Sequence, residues 1–374
     1  HIKRRGIGSN QSFNGAYSSA LNLDPLTPLY ETDPAKLALP PYSNQPVIVT
    51  DEGNVFGISE LVGAEVVNPL ALIYNQNART RVDKLVGNFY GELEPVTGLK
   101  VRSTYGIDLA YVMNDSFRPL FYLNGAQLNT DKTSVSKSID RYFTWQWENT
   151  ASYEKEIGDH NIGGLVGITA SETKYENLSG FNAGVPLYDP NNVYLNMATD
   201  TVDQAGGGAW ASALYSIFGR VTYDYKDKYL LTAIVRRDGS SKFGANNRYG
   251  VFPSVAVGWV ISDEFFLNDI QEISYLKLRV SWGINGNQEI GDYRFVSTVN
   301  NSVRGYTFGG GYAIGASPSY IENADVRWEE SVQFDVGADF GFFNNRLTGV
   351  LDYYNKTTKG LLEIIPIPAH VGND

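Results

Sequence analysis

The chain has no cysteine, so it has neither disulfides nor thiolate metal sites. It has only three histidines in 374 residues, His1, His160 and His370, and they lie far apart. Gly-x-Ser-x-Gly, His-Glu-x-x-His and phosphate-loop motifs are absent, so nothing supports an enzyme with a convergent acid, base or nucleophile. Positive charge is in deficit. Thirty Lys and Arg against 41 Asp and Glu leave a net charge of −11, which argues against a nucleic-acid partner. No run of about 18 apolar residues occurs, which excludes a transmembrane helix. It does not exclude a membrane, because a β-barrel hides its apolar half in alternation. No metal or cofactor is implied.

Aromatic residues are abundant, with 25 Tyr, 18 Phe and 6 Trp. Tyrosine in excess suits a membrane interface, where the ring is buried and the hydroxyl stays wet. The clearest pattern runs from Val332 to Phe342. Val332, Phe334, Val336, Ala338, Phe340 and Phe342 alternate with Gln333, Asp335, Gly337, Asp339 and Gly341. Period-two alternation marks a strand with one greasy and one polar face.

The pattern recurs at Arg79 to Glu92, Leu99 to Tyr111, Arg141 to Lys155, Asn161 to Ser171 and Ala211 to Tyr225. Further runs are Tyr229 to Arg237, Val251 to Ile261, Leu276 to Ile284 and Arg346 to Tyr354. These segments, of about 10 to 14 residues, match a tilted wall across a bilayer. Pro253 would demote its run to an edge in a soluble sheet; the run is kept as a strand here, with a bulge allowed at that point. Links alternate in length with strand parity. Those near Pro95, Gly158, Asp227 and Asn344 are short, and those over Val112 to Asp140, Thr173 to Trp210 and Asn285 to Glu330 are long. The link from Ser262 to Ser274 has room for one helical turn around Glu264–Leu267. Short periplasmic turns and long outer loops are the rule of outer-membrane barrels.

The fold class expected is therefore all-β, an antiparallel transmembrane β-barrel of which about 10 to 12 strands are present. Residues 1–78, punctuated by Asp24-Pro25, Thr27-Pro28, Asp33-Pro34 and Pro40-Pro41, read as an extracellular loop region with the end of a preceding strand. Residues 79–374 read as barrel strands and loops. The ends at His1 and Asp374 read as cuts in a longer protein. Gly309–Gly315 lacks the strand–turn–helix context of a phosphate cradle and reads as loop or strand. Asp238-Gly239-Ser240-Ser241 fails the spacing of a calcium loop.

Several motifs resemble those of SusC-like TonB-dependent transporters. They are Asn68-Pro69-Leu70-Ala71, Asn88-Phe89-Tyr90-Gly91-Glu92, Arg236-Arg237-Asp238-Gly239-Ser240-Ser241-Lys242-Phe243-Gly244 and Gly250-Val251-Phe252-Pro253-Ser254. Leu276–Gly283, Gly286-Asn287-Gln288-Glu289-Ile290, Trp328-Glu329-Glu330-Ser331 and Leu351–Thr358 follow in order. The resemblance implies a barrel of about 22 strands in a bacterial outer membrane. It further implies an internal plug, import of oligosaccharide, glycan or peptide, energy from the TonB-ExbB-ExbD complex, and a SusD-like surface lipoprotein over the mouth. This chain shows no plug, no energy-coupling box and no final strand. About half the strands of a closed wall leave two unpaired edges, which lipid does not tolerate.

Arg220, Arg236, Arg279, Asp335 and Asp339 take the inward parity. In a channel they meet either solute or the plug. Trp145, Trp147, Trp259 and Trp282 share the outward parity and suit an interface girdle. Aromatic residues able to stack on a sugar, or to be gripped by a lid, are Tyr188, Tyr194, Trp210, Tyr306 and Tyr312. Two alternative readings remain: a passive porin, which a plug upstream of His1 would exclude, and a soluble or surface β-rich carbohydrate-binding protein, which would stay monomeric without detergent.

Overall fold

The computed structural model describes residues 2–5, 15–64, 66–186, 193–200, 204–267, 270–300, 305–315, 317–318 and 322–363. Eleven strands form one sheet: β1 (Ile2–Arg5), β2 (Ala78–Val96), β3 (Leu99–Arg118), β4 (Ser134–Ile157), β5 (His160–Ala183), β6 (Gln204–Tyr225), β7 (Tyr229–Ser240), β8 (Tyr249–Val260), β9 (Ile273–Asn287), β10 (Glu329–Phe342) and β11 (Leu347–Lys359). Their spatial order is their chain order, and among the described residues β1 and β11 do not pair to close the wall. Neighbours are antiparallel where registers are defined, for β1 with β2 and from β6 through β11.

The alternation of the sequence becomes two faces. One row across six strands is Tyr223, Leu231, Val257, Val280, Val336 and Tyr353. The row beside it, one residue along each strand, is Thr222, Thr232, Ala256, Ser281, Asp335 and Tyr354. In a soluble sheet the first row would be the covered one. Here Leu278, Val280, Trp282, Phe334 and Val336 are exposed, while Arg279, Ser281, Asp335 and Gly337 are half-buried or buried. The sheet is apolar on its bare side.

Strands β3 to β6 are longer than the alternation predicts, at 20, 24, 24 and 22 residues. Alternation fades where a strand becomes wet on both faces, yet the backbone ladder continues. Polar side chains bridge these outer stretches. Asp140 accepts from the Tyr175 hydroxyl at 2.7 Å, Asn177 at 2.7 Å and Asn114 at 3.3 Å. Thr80 in turn donates to Asn114 at 2.8 Å.

Pro253 makes no bulge. Its pairing with Val235 is regular, and the β8–β9 ladder begins one residue later, at Ser254 opposite Gly283. The proline's missing N–H falls where β8 parts from β9, so no ladder bond is lost. The register shift lies instead between Ile273 and Tyr275.

Short turns need special backbone. Gly98 has φ of +86°, and a Cβ there would stand 2.5 Å from the Glu154 carbonyl oxygen. Lys226 and Asp227 are left-handed at φ of 57° and 55°, as are Phe343, Asn344 and Asn345. At the other end the long link before β10 carries two small antiparallel pairings, Val299–Asn300 with Ser317–Pro318 and the hairpin Gly305–Phe308 with Gly311–Ile314. Gly309 and Gly310 supply the hairpin's turn at φ of 55° and 83°.

The chain forms two compact units. One comprises His1–Leu85, Leu109–Phe143 and Tyr175–Ala209; the other comprises Val86–Asp108, Thr144–Lys174 and Trp210–Asp374. Within the first, three short helices, Ala16–Asn22, Pro34–Leu37 and Pro69–Tyr74, and the paired strands Tyr30–Glu31 and Val55–Phe56 precede β2. Asn68, 4% exposed, caps the helix Pro69–Tyr74 by accepting from Leu70 and Ala71 backbone N–H at 3.1 and 3.3 Å. Its amide donates to the Leu29 and Gly57 carbonyls. Cap and proline together start the helix, and Asp33-Pro34 starts the helix Pro34–Leu37 in the same way. Phe56, Val67, Ala71 and Leu123 form the small core beneath. In the second unit Phe243, Phe252 and Trp328 pack together, with the Trp328 indole donating to the Arg248 carbonyl at 3.0 Å.

Two outcomes are expected. In the whole protein, Val280→Arg costs about 2–4 kcal/mol in lipid, whereas Ser281→Arg on the opposite parity costs far less. Thermal unfolding in vesicles reads the difference, and equal effects would refute a lipid-facing apolar side. Asp24 accepts from Ser59 at 2.5 Å, from the Thr27 hydroxyl at 2.7 Å and from the Leu26 and Thr27 amides, and these bonds hold its carboxyl below the usual range, the Ser59 hydroxyl most of all. A lowered folded value means the stabilisation is present above the ordinary carboxylate range and is lost as pH falls through the lowered value. Hydrogen exchange at Leu26 and Thr27 should accelerate as pH drops through that window, beyond intrinsic rates, and Asp24→Asn should remove the step.

Candidate functional site: the polar face of the wall

The polar parity of β9, β10 and β11 brings three charged side chains together. Arg279 donates through Nε to Asp339 Oδ2 at 3.0 Å and through Nη2 to Asp339 Oδ1 at 2.9 Å. Nη2 also reaches Asp352 Oδ1 at 3.0 Å. A guanidinium fork matches a carboxylate in this way. Gly337 is the register partner of both Arg279 and Asp352. A Cβ at Gly337 would stand 2.9 Å from Arg279 Nη2 and would also crowd the Asp352 carboxylate. The glycine leaves the channel through which Arg279 ties three strands.

Arg236 makes a second cluster. Its Nε donates to Asp238 at 2.6 Å, its Nη2 to Ser216 at 2.8 Å, and its guanidinium lies 5.5 Å from the centre of the Phe218 ring. Ser216 and Asp238 are buried. The rest of that motif is a latch. The Ser240 hydroxyl accepts from the Lys242 amide at 3.1 Å, the Ser241 hydroxyl from the Ala213 amide at 2.9 Å, and Phe243 is fully buried.

Arg220 and Asp335 differ from these. Both lie on the same parity as the clusters, Arg220 exposed and Asp335 half-exposed, and neither has a side-chain partner among the described residues. They are the expected inward charges left available. Nearer the short turns the polar face holds a cavity of about 430 Å³ edged by Glu154, Glu156, Thr222, Asp224 and Thr232. In the other unit, a groove of about 400 Å³ among the loops is lined by Tyr42, Tyr122, Leu39, Leu61 and Pro41.

The aromatic residues expected on the loops do not form one cluster among the described residues. Tyr194 is exposed, with the Lys137 ammonium 5.3 Å from its ring. Trp210 is exposed on β6 and belongs to the other compact unit. Tyr306 and Tyr312 sit on facing strands of the hairpin, Tyr312 in register with Thr307. Tyr188 lies outside the described residues. Sequence reasoning missed Asp352, Asp238 and Ser216. Asp352 shares the polar parity of its strand with Tyr354 and Lys356, a signal that was present in the pattern but did not reveal its partner. Among the described residues no three His, Asp or Glu side chains are arranged to hold a metal ion.

The outward parity carries aromatic residues at the short-turn end. Tyr225, Tyr229 and Trp259 stack in register, with centroids 6.2 and 6.4 Å apart. Glu264 accepts from the Tyr229 hydroxyl at 2.6 Å and the Trp259 indole at 3.1 Å, and its carboxyl is held below the usual range by these bonds, Tyr229 first. Elsewhere the Trp145 ring stacks on Tyr105, and the Trp147 indole donates to Ser103.

A meander of antiparallel strands, bare and apolar on one parity and ion-paired on the other, with an aromatic row at the short-turn end, is the wall of an outer-membrane β-barrel. Residues 13–373 match the family described as TonB dependent receptor-like, beta-barrel, and the chain belongs to it. The TonB-dependent receptor P39 of Formosa agariphila is 34% identical over 312 residues, covering 82% of this chain and 29% of that protein. The TonB-dependent receptor SusC of Bacteroides thetaiotaomicron is 32% identical over 316 residues, covering 80% of this chain and 29% of that protein. The solved RagAB peptide transporter superposes with a TM-score of 0.75 at 26% identity, over 86% of this chain and 35% of the matched chain. The chain thus spans under a third of the length of the curated relatives named. The family is one of transporters, not enzymes.

Gly337→Val should lower stability by about 1–3 kcal/mol, the usual cost of forcing bulk into a filled site. Asp352→Asn, which keeps the shape and leaves the Arg279–Asp339 fork, should cost less. Thermal unfolding of the detergent-solubilised receptor ranks the two, and the reverse order would show that the glycine channel is unimportant.

Proposed function

We propose that this chain forms barrel wall and loops of an importer that carries glycan, oligosaccharide or peptide nutrients across the outer membrane. The observation that supports this most directly is the sheet's inside-out character: apolar rows bare on one face, charged rows paired on the other. Residues 79–374 supply strands and their loops in this reading, and residues 1–78 lie on the long-loop, extracellular side. A SusD-like lipoprotein caps that side, and the TonB-ExbB-ExbD complex supplies energy through a plug. The relationship to SusC and the likeness to RagAB, a peptide transporter, favour these partners and this class of solute.

Within the bore, Arg220 and Asp335 meet solute or plug, since their charges are not spent on neighbours in the wall. Arg236, Arg279 and Asp339 serve chiefly to hold strands in register. Tyr194, Trp210, Tyr306, Tyr312 and Tyr188 supply stacking surfaces to solute or lid.

The test is uptake of labelled peptide and oligosaccharide pools by cells carrying the whole gene, with and without a functional TonB. Energy-dependent uptake and a co-purifying lipoprotein would support the importer; uptake indifferent to TonB would favour a passive porin. Arg220→Ala and Asp335→Asn should each reduce uptake about tenfold, the scale of one charged hydrogen bond, at unchanged receptor level. Arg279→Ala should instead lower the amount of assembled receptor. Full uptake by both lumen variants would remove them from the solute path.

A further inference from the structure

The link between β8 and β9 is unlike the other short-end connections. It folds into two single turns of 3-10 helix, Ile261–Asp263 and Phe265–Leu267, rather than a tight polar turn. Phe265 is 82% exposed and Phe266 53%, and their rings meet edge to face with centroids 6.0 Å apart. A single exposed hydrophobic residue needs no explanation. Here the position does. Glu264, immediately before the pair, is pinned by the Tyr229 hydroxyl and the Trp259 indole, and Lys228 Nζ lies 3.7 Å from its other oxygen. Tyr229 and Trp259 belong to the outward parity, in one register row with Leu278. The link is therefore fastened to the apolar side of the wall and not to the bore.

We infer that Phe265 and Phe266 form an interfacial anchor that seats in the headgroup–acyl boundary of the phospholipid leaflet on the short-turn side. This rests on the outer-membrane reading above. Lipid is the occupant because the pair continues an apolar surface that already faces lipid. The polar groups beside it, Glu264, Lys228, the Tyr229 hydroxyl and the Trp259 indole, satisfy one another. Such a group can approach the boundary without leaving a donor or charge bare. Asp263 and Asp227 remain on the headgroup side. The anchor fixes how deep β8 and β9 sit, which a turn of two polar residues cannot do.

The experiment places single cysteines at Phe265→Cys and Phe266→Cys in the full-length receptor, with any other cysteines replaced. Each is labelled with a nitroxide and reconstituted in phosphatidylethanolamine–phosphatidylglycerol vesicles. Collision with oxygen, which partitions into lipid, is compared with collision with a water-soluble nickel chelate. Asp227→Cys serves as the water reference and Val255→Cys as the mid-wall lipid reference. An oxygen-to-nickel ratio at both positions several-fold above that at Asp227, and below that at Val255, supports the anchor. Ratios equal to that at Asp227 place the rings in water and overturn it. Protection from both reagents places them against protein and also overturns it. If the Val255 label itself is reached by nickel, the membrane reading fails along with the anchor; if Val255 is lipid-exposed, only the anchor is in question.

Discussion

Lipid offers no hydrogen bonds, so a wall that crosses it must bond every backbone group within itself and turn its apolar side chains outward. The other features of the sheet described here follow from that requirement. Strands are long and antiparallel, and each neighbour in space is a neighbour in sequence, because hairpins are the cheapest way to keep ladders continuous. Among the described residues Leu231, Val257, Val280, Val336 and Tyr353 stand exposed along one register row, and Tyr223 at its end meets the His160 ring. The row's complement is the bilayer.

The opposite parity has a different task. Charged residues pointing into a bore must be paired or hydrated, and the wall uses pairing to lock register. Arg279 reaches two carboxylates on two strands because Gly337 removes the one side chain that would stand in its way. Arg236 does the same over a shorter span with Asp238 and Ser216. Further out, Asp140 gathers Asn114, Tyr175 and Asn177 where no lipid is left to define a face. Charge that remains unspent, at Arg220 and Asp335, stands out against this background.

The wall itself was legible in the residues. Alternation located all the strands from β2 to β11, and loop length by end was visible without coordinates. What was not legible has physical causes. Strand ends in β3 to β6 extend into residues such as Asn114-Asp115-Ser116, where both faces are wet and period two carries no hydrophobic signal. Asp33-Pro34 and Asn68-Pro69 look like loop punctuation, yet the same chemistry caps short helices, and only the packing of Phe56 and Ala71 decides between them. Pro253 suggested a bulge because sequence does not reveal which side of a strand lacks a partner. Parity set Arg220, Arg236, Arg279, Asp335 and Asp339 on one face, but whether an arginine is spent or free depends on what a neighbouring strand places opposite it, and that is a matter of register.

Apart from the link between β8 and β9, the turns at one end hold only a few residues, several in left-handed backbone: Lys226-Asp227 and Phe343-Asn344-Asn345. Adding one residue to a strand would turn its greasy side into the bore and its charges into lipid. Inheritance can therefore edit this molecule at only one rim. The long connections there can lengthen, shorten or be exchanged while the barrel keeps its footing in the bilayer. The register that holds the wall and the loops that rim it are thus written in separate parts of the chain, and one set can vary without disturbing the other.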